Sequence, residues 1–120
     1  NIVKWCRELG IKCKLSFILG LPGESLESME TTRRWILAQD PEGLRIQLGR
    51  LIPFAGTPLT KSPENYDLKY ETQIDENWFY RGKMDLDSHS FVSTSHLSVE
   101  EIDAFWRNLE NELGEKGYSK

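Results

Sequence analysis

The stretch Ile11-Lys12-Cys13-Lys14-Leu15-Ser16-Phe17-Ile18-Leu19-Gly20-Leu21-Pro22-Gly23-Glu24-Ser25 decides the fold. Cys13, Leu15, Phe17 and Leu19 alternate with Lys12, Lys14, Ser16, Ile18 and Gly20, so a strand over 11–20 carries one apolar and one polar face. Two glycines and a proline in Gly20-Leu21-Pro22-Gly23 break that pattern. Ser25 is placed to cap a following helix, whose candidate core residues are Leu26, Met29, Ile36 and either Trp35 or Leu37.

Upstream, Ile2, Val3, Cys6 and Leu9 follow one helical face, and Gly10 ends that helix in a left-handed cap. Downstream, Asp40-Pro41-Glu42-Gly43 ends the Ser25 helix. A second strand over 44–52 follows, with Leu44, Ile46, Leu48 and Ile52 on one side and Arg45, Gln47 and Gly49 on the other. Helix, strand, helix, strand with short links is the order of a parallel sheet covered by helices, which sets the fold class as α/β. In a barrel of such units the apolar strand faces pack under the outer helices. The polar faces, with Lys12, Lys14, Ser16, Arg45 and Gln47, then look into the lumen and suggest a ligand space.

Beyond 58 the periodicity fades until the last helix. Trp78-Phe79-Tyr80 before Arg81-Gly82 fits one arm of a hairpin. Ser98-Val99-Glu100-Glu101 is a capping box, and Leu97 and Ile102 can staple it. The helix over 98–113 buries Val99, Ile102, Phe105, Trp106, Leu109 and Leu113, and Gly114 ends it.

With 120 residues the chain is too short for a complete (β/α)₈ barrel, which needs roughly 200 or more. It opens on Asn1 within what reads as the end of a helix, so an excised segment is expected. A net charge of -4 gives no basic footprint for phosphate backbones, so no nucleic-acid partner is expected. No apolar run approaches the roughly 20 residues of a bilayer span, and no leader pattern is present. A soluble, cytoplasmic chain without a membrane partner is the expectation.

Among chemistry-bearing residues, the Gly20-to-Ser25 turn stands at the carboxyl end of its strand, where ligands of parallel α/β proteins collect. Its glycines either admit close backbone approach to a ligand or simply make a tight turn. Lys12, Lys14, Arg45 and Gln47 can bind an acidic substrate, or else pair with carboxylates and meet solvent. Cys6 and Cys13 lack the short gaps of a shared metal site and read as ordinary buried or half-buried thiols. His89 and His96, near Asp85 and Asp87, need convergence from one face to hold a metal and otherwise are solvated. Ser93, Thr94 and Ser95 lack a nucleophile elbow.

Gly10-Ile11-Lys12 followed by Phe17-Ile18-Leu19-Gly20-Leu21-Pro22-Gly23-Glu24-Ser25 resembles the fifth-strand segment of radical S-adenosylmethionine enzymes. Pro53-Phe54-Ala55-Gly56-Thr57-Pro58 is similar to the turn after the sixth strand. Trp78-Phe79-Tyr80 and Leu97-Ser98-Val99-Glu100-Glu101-Ile102 are similar to the tail of the cobalamin-binding-domain branch, which includes anaerobic magnesium-protoporphyrin ester cyclase-like proteins and methylases. The resemblance implies that residues 1–58 are the later strands and helices of such a barrel. An irregular aromatic-containing extension over 59–96 and a C-terminal helix over 97–120 then share its single domain.

It further implies that Ile18 and Gly20 lie against the adenine and ribose of S-adenosylmethionine, with Leu51, Ile52 and Pro53 on the other side of the adenine. Lys14, Ser16, Arg45 and Gln47 are then expected to line the substrate cavity. The family's motif of glycine, any, isoleucine, any, glycine, two residues, glutamate is altered here: Ser16 replaces the first glycine and Glu24 falls one place late. The cysteine triplet that holds the family's [4Fe-4S] cluster is not in this sequence. The chain alone is therefore expected to supply binding surface and no radical generation, within an enzyme of methyl transfer or oxidative cyclisation, with or without cobalamin.

The implied partners are the remainder of the barrel, a small-molecule substrate and, through open sheet edges, another copy of the chain. Two other readings fit the residues: a non-catalytic interaction or assembly module, and a small nucleotide-binding α/β domain built on the Gly20 to Glu24 turn.

Overall fold

A computed structural model describes residues 1–53, 56–70 and 92–118. The element order is α1 (Ile2–Glu8), β1 (Cys13–Leu19), α2 (Leu26–Leu37), β2 (Leu44–Arg50), α3 (Pro58–Lys61), a 3₁₀ turn (Pro63–Tyr66), β3 (Lys69–Tyr70), β4 (Val92–Ser93) and α4 (Val99–Lys116). β1 and β2 pair in parallel, from Cys13 opposite Leu44 to Leu19 opposite Arg50. β3 and β4 form a separate antiparallel pair. The fold is mixed α/β, with a two-stranded parallel sheet and a C-terminal helix laid over it.

The alternation of the sequence becomes two faces of that sheet. Leu19, Leu44, Ile46 and Leu48 join Met29 and Ile36 of α2 and Ile102, Leu109 and Leu113 of α4 in one core. Cys13, Leu15 and Phe17 pack partly buried against it. Lys14, Ser16, Ile18, Arg45 and Gln47 stand exposed on the opposite face, and neither strand has a further strand neighbour among the described residues.

β1 begins two residues later than the pattern suggests. Gly10 donates to the Arg7 carbonyl and Ile11 to the Cys6 carbonyl, a Schellman closure with Gly10 at φ +69°. Those bonds keep Ile11 in the end of α1, so the ladder starts at Cys13, whose amide donates to the Gly43 carbonyl. β2 ends at Arg50, short of 52, and Ile52 packs instead with Leu51, Leu68 and Val92 in a second small cluster.

In α1, Val3 is buried and Cys6 half-buried, whereas Ile2, Trp5 and Leu9 form an exposed stripe, contrary to the inward placement of Ile2 and Leu9. Leu26 is exposed at the first position of α2, one turn ahead of buried Met29. Trp35 is also exposed, its ring 6.1 Å from that of Phe17, and Leu37 takes the partly buried place beside the core.

The starts of α2 and α4 follow the reciprocal logic of a capping box. Ser98 Oγ accepts from the Glu101 amide at 3.1 Å, and Glu101 Oε1 accepts from the Ser98 amide at 3.1 Å. Ser25 and Ser28 make the same exchange at α2. Leu97 and Ile102 are both buried, as a staple requires. Gly114 does not end α4: the helix runs on to Lys116, and Gly117 takes the left-handed cap at φ +100°. Glycine is tolerated inside a helix, and the extra turn lets Tyr118 reach α2, where its hydroxyl donates to the Ile36 carbonyl at 3.1 Å.

The irregular region proves partly regular, since α3, the 3₁₀ turn and the β3–β4 pair fall within it. Trp78, Phe79, Tyr80 and Arg81 lie outside the described residues. Among those described, no helix is long and apolar enough to cross a membrane.

Candidate functional site at the open sheet face

The cross-strand register turns the polar residues of two separate segments into rungs. Lys14 lies beside Arg45, Ser16 beside Gln47, and Ile18 beside Gly49. At a rise of about 3.3 Å per residue the three rungs span roughly 13 Å along the strands. All five side chains are exposed, and Ile18 is 51% accessible, so an apolar step adjoins the bare backbone of Gly49 at the carboxyl end of the sheet. A groove of about 560 Å³ runs round the outer edge of β2 past Lys14, Arg45, Gln47, Trp106 and Glu110.

The corner above Ile18 is held by its own chain. Gly20 adopts φ +83°, which L side chains rarely adopt, and a Cβ there would lie 3.0 Å from Ile102 Cδ1. Its amide donates to Glu24 Oε2 at 2.8 Å. Burial raises the Glu24 carboxyl pKa, while the Gly20 and Leu21 amides pull it back by bonding the carboxylate. Glu24 thus takes amides that an outside anion would otherwise need, and Gly20 is buried beneath α4.

After β2 the ladder extends one bond, from the Leu51 amide to the Leu19 carbonyl at 2.9 Å. Leu51 is then buried against Leu68 and Val92, Pro53 is fully buried, and Ile52 is half-buried in the same cluster. Ile18, Lys14, Ser16, Arg45 and Gln47 therefore share one open surface. Gly20, Leu51 and Pro53 are buried and take no part in that surface.

An ion pair that the sequence analysis did not single out fixes the carboxyl end of β2. Arg50 Nη1 donates to Asp103 Oδ1 at 2.8 Å, with 3% and 10% of the two side chains exposed. The guanidinium also sits 4.3 Å from the centre of the Trp106 ring, and Trp106 Nε1 donates to the Leu48 carbonyl at 3.1 Å. Through Asp103, Trp106 and Ile102, α4 grips the ends of both strands. The only sequence signal was a basic residue on the apolar side of a strand, and that pattern asks for a buried carboxylate somewhere else in the chain.

Cys6 and Cys13 are free thiols and half-buried. Burial and the neighbouring Cys6 push the Cys13 thiol up, away from the thiolate form that binds iron. His96 is exposed, while His89, Asp85 and Asp87 lie outside the described residues. Among the described residues no three His, Cys, Asp or Glu side chains come together as a metal site. Ser93 is buried in β4, and Ser95 is tied through its amide and hydroxyl to Asp67 Oδ2. No family model, curated protein or solved structure matches the chain.

Proposed function

We propose that the chain is one wall of a radical S-adenosylmethionine enzyme, a segment of its (β/α) barrel that contributes part of the cofactor and substrate cavity. The observation that carries this reading is the pair of parallel strands with helices on the apolar side and an open polar side. Such a pair supports the reading of one wall of a barrel with its open side toward a ligand. The helix-strand-helix-strand order and the glycine corner at the carboxyl ends support it further.

In this reading the Ile18–Gly49 rung is the surface for the adenine of S-adenosylmethionine, because it offers an apolar side chain beside unshielded backbone. Gly20 and Glu24 fix the corner above it. Leu51, Ile52 and Pro53 hold the segment that follows β2. Lys14, Ser16, Arg45 and Gln47 face the substrate. The cofactor would supply a methyl or 5'-deoxyadenosyl group, and this chain's residues bind and orient.

A cluster with one open iron takes three thiolates, and two mutually adjacent half-buried cysteines do not fit it, so no redox step is assigned to this chain. The complete enzyme belongs to methyl transfer or oxidative cyclisation, acts in the cytoplasm, and takes the cluster from elsewhere.

Titrating S-adenosylmethionine into the ¹⁵N-labelled chain tests the reading. Saturable shifts are expected at the amides of Ile18, Gly49 and Gly20. If those amides stay fixed the reading falls, and if ATP moves Gly20 and Gly23 instead, the small nucleotide-binding domain takes its place. One observation favours an assembly module as the second reading: the exposed stripe of Ile2, Trp5 and Leu9, with Ile11 beyond it.

A further inference from the structure

Lys14 and Arg45 are direct cross-strand neighbours on the exposed face, and like charges so placed repel. Neither forms an ion pair with any described residue. Lys12 extends the same face, and a hollow of about 470 Å³ at the start of the sheet is lined by Lys12, Lys14 and Arg45 together with Pro41, Gly43 and Leu44. No carboxylate lines that hollow; Glu110 stands in the adjoining groove at the edge of β2, and Asp40 and Glu42 line a second hollow with Lys12. The arrangement costs stability in the free chain, and a bound anion would remove the cost.

We propose that Lys12, Lys14 and Arg45 form an anion subsite, taking a carboxylate or phosphate group of a small molecule whose apolar or flat part lies toward the Ile18–Gly49 rung. The proposal rests on the cavity reading above and gives its substrate class. The separation of the two ends limits the ligand, since Lys14 and Ile18 lie roughly 13 Å apart along β1. Ser16 and Gln47, between them, can bond polar groups along its length.

The test titrates inorganic pyrophosphate, and separately glutarate, into the labelled chain and into the Lys14→Gln/Arg45→Gln variant. Both residues are exposed, so the variant keeps the fold. Saturable shifts are expected at Lys14, Ser16 and Arg45 in the native chain, weakened by salt and by about tenfold or more in the variant. The stronger of the two anions names the group recognised. Each single variant should also melt at the native temperature or about 1 to 4 °C above it, because a repulsion is relieved.

Equal binding by the variant, or no shift with either anion, overturns the subsite. If S-adenosylmethionine leaves Ile18 and Gly49 unmoved while pyrophosphate still moves Lys14 and Arg45, the cofactor reading falls and the subsite stands. The reverse result removes the subsite alone.

Discussion

Asp103→Ala is expected to destabilise the chain by about 3 to 5 kcal/mol, measured by urea unfolding, because it takes the Asp103 carboxylate away from a buried guanidinium. The pair is short, at 2.8 Å, and shielded, with Arg50 3% exposed. An exposed ion pair would be worth only about 0 to 1 kcal/mol, so the size of the loss reports burial. Domains of this size are stable by about 5 to 15 kcal/mol in all, and the variant is therefore marginal at room temperature.

Replacing both partners by apolar residues, Arg50→Met with Asp103→Leu, is expected to recover most of the loss, since both buried charges are then removed. A loss below about 1 kcal/mol in Asp103→Ala would show that the pair is solvated and that α4 is not anchored there.

Gly20→Val is expected to cost about 2 to 4 kcal/mol, from backbone strain and overpacking together. Valine at φ +83° is strained wherever it points, and its Cβ would also press on Ile102 Cδ1 from 3.0 Å. Ile102→Val deletes that Cδ1 atom and separates the two causes. Combined with Gly20→Ala it should relieve the contact and leave the φ penalty of about 1 to 2 kcal/mol. A Gly20→Val variant within about 0.5 kcal/mol of the native chain would mean that the corner does not hold this conformation. The same variant should weaken S-adenosylmethionine shifts at Ile18, two residues before Gly20 in the chain.

The sheet was legible because its signal is local. The alternation through Leu15, Ser16, Phe17, Ile18 and Leu19 and again through Leu44 to Leu48 needs nothing but neighbouring residues, and the faces of the sheet follow it. Ser98 and Glu101 likewise announce their helix within four residues. Where the outcome depends on distant partners, the pattern was silent or misleading.

Arg50 meets Asp103 53 positions away, and nothing near either residue signals the other. Ile2 and Leu9 share an apolar spacing with Val3 and Cys6, yet only Val3 and Cys6 turn inward, because a seven-residue helix resting on one sheet has one narrow buried side. Gly114 looks like a stop, but the packing of Tyr118 on α2 draws the helix one turn further. For the candidate site, Lys14, Ser16, Ile18, Arg45 and Gln47 were found together as the alternation requires. Leu51 and Pro53 lie past the end of β2, where the fold is set by Leu68 and Val92 rather than by the strand's own period.

The parallel pairing of β1 with β2 carries everything said of the open face, because an antiparallel or unpaired arrangement would scatter Lys14, Ser16, Arg45 and Gln47. A three-dimensional NOESY spectrum of the ¹³C,¹⁵N-labelled chain tests it most directly. Interstrand contacts are expected to rise in step, Cys13 with Leu44, Leu15 with Ile46, Phe17 with Leu48 and Leu19 with Arg50. Contacts that run in the opposite order, or no contacts between the two strands, would contradict the account.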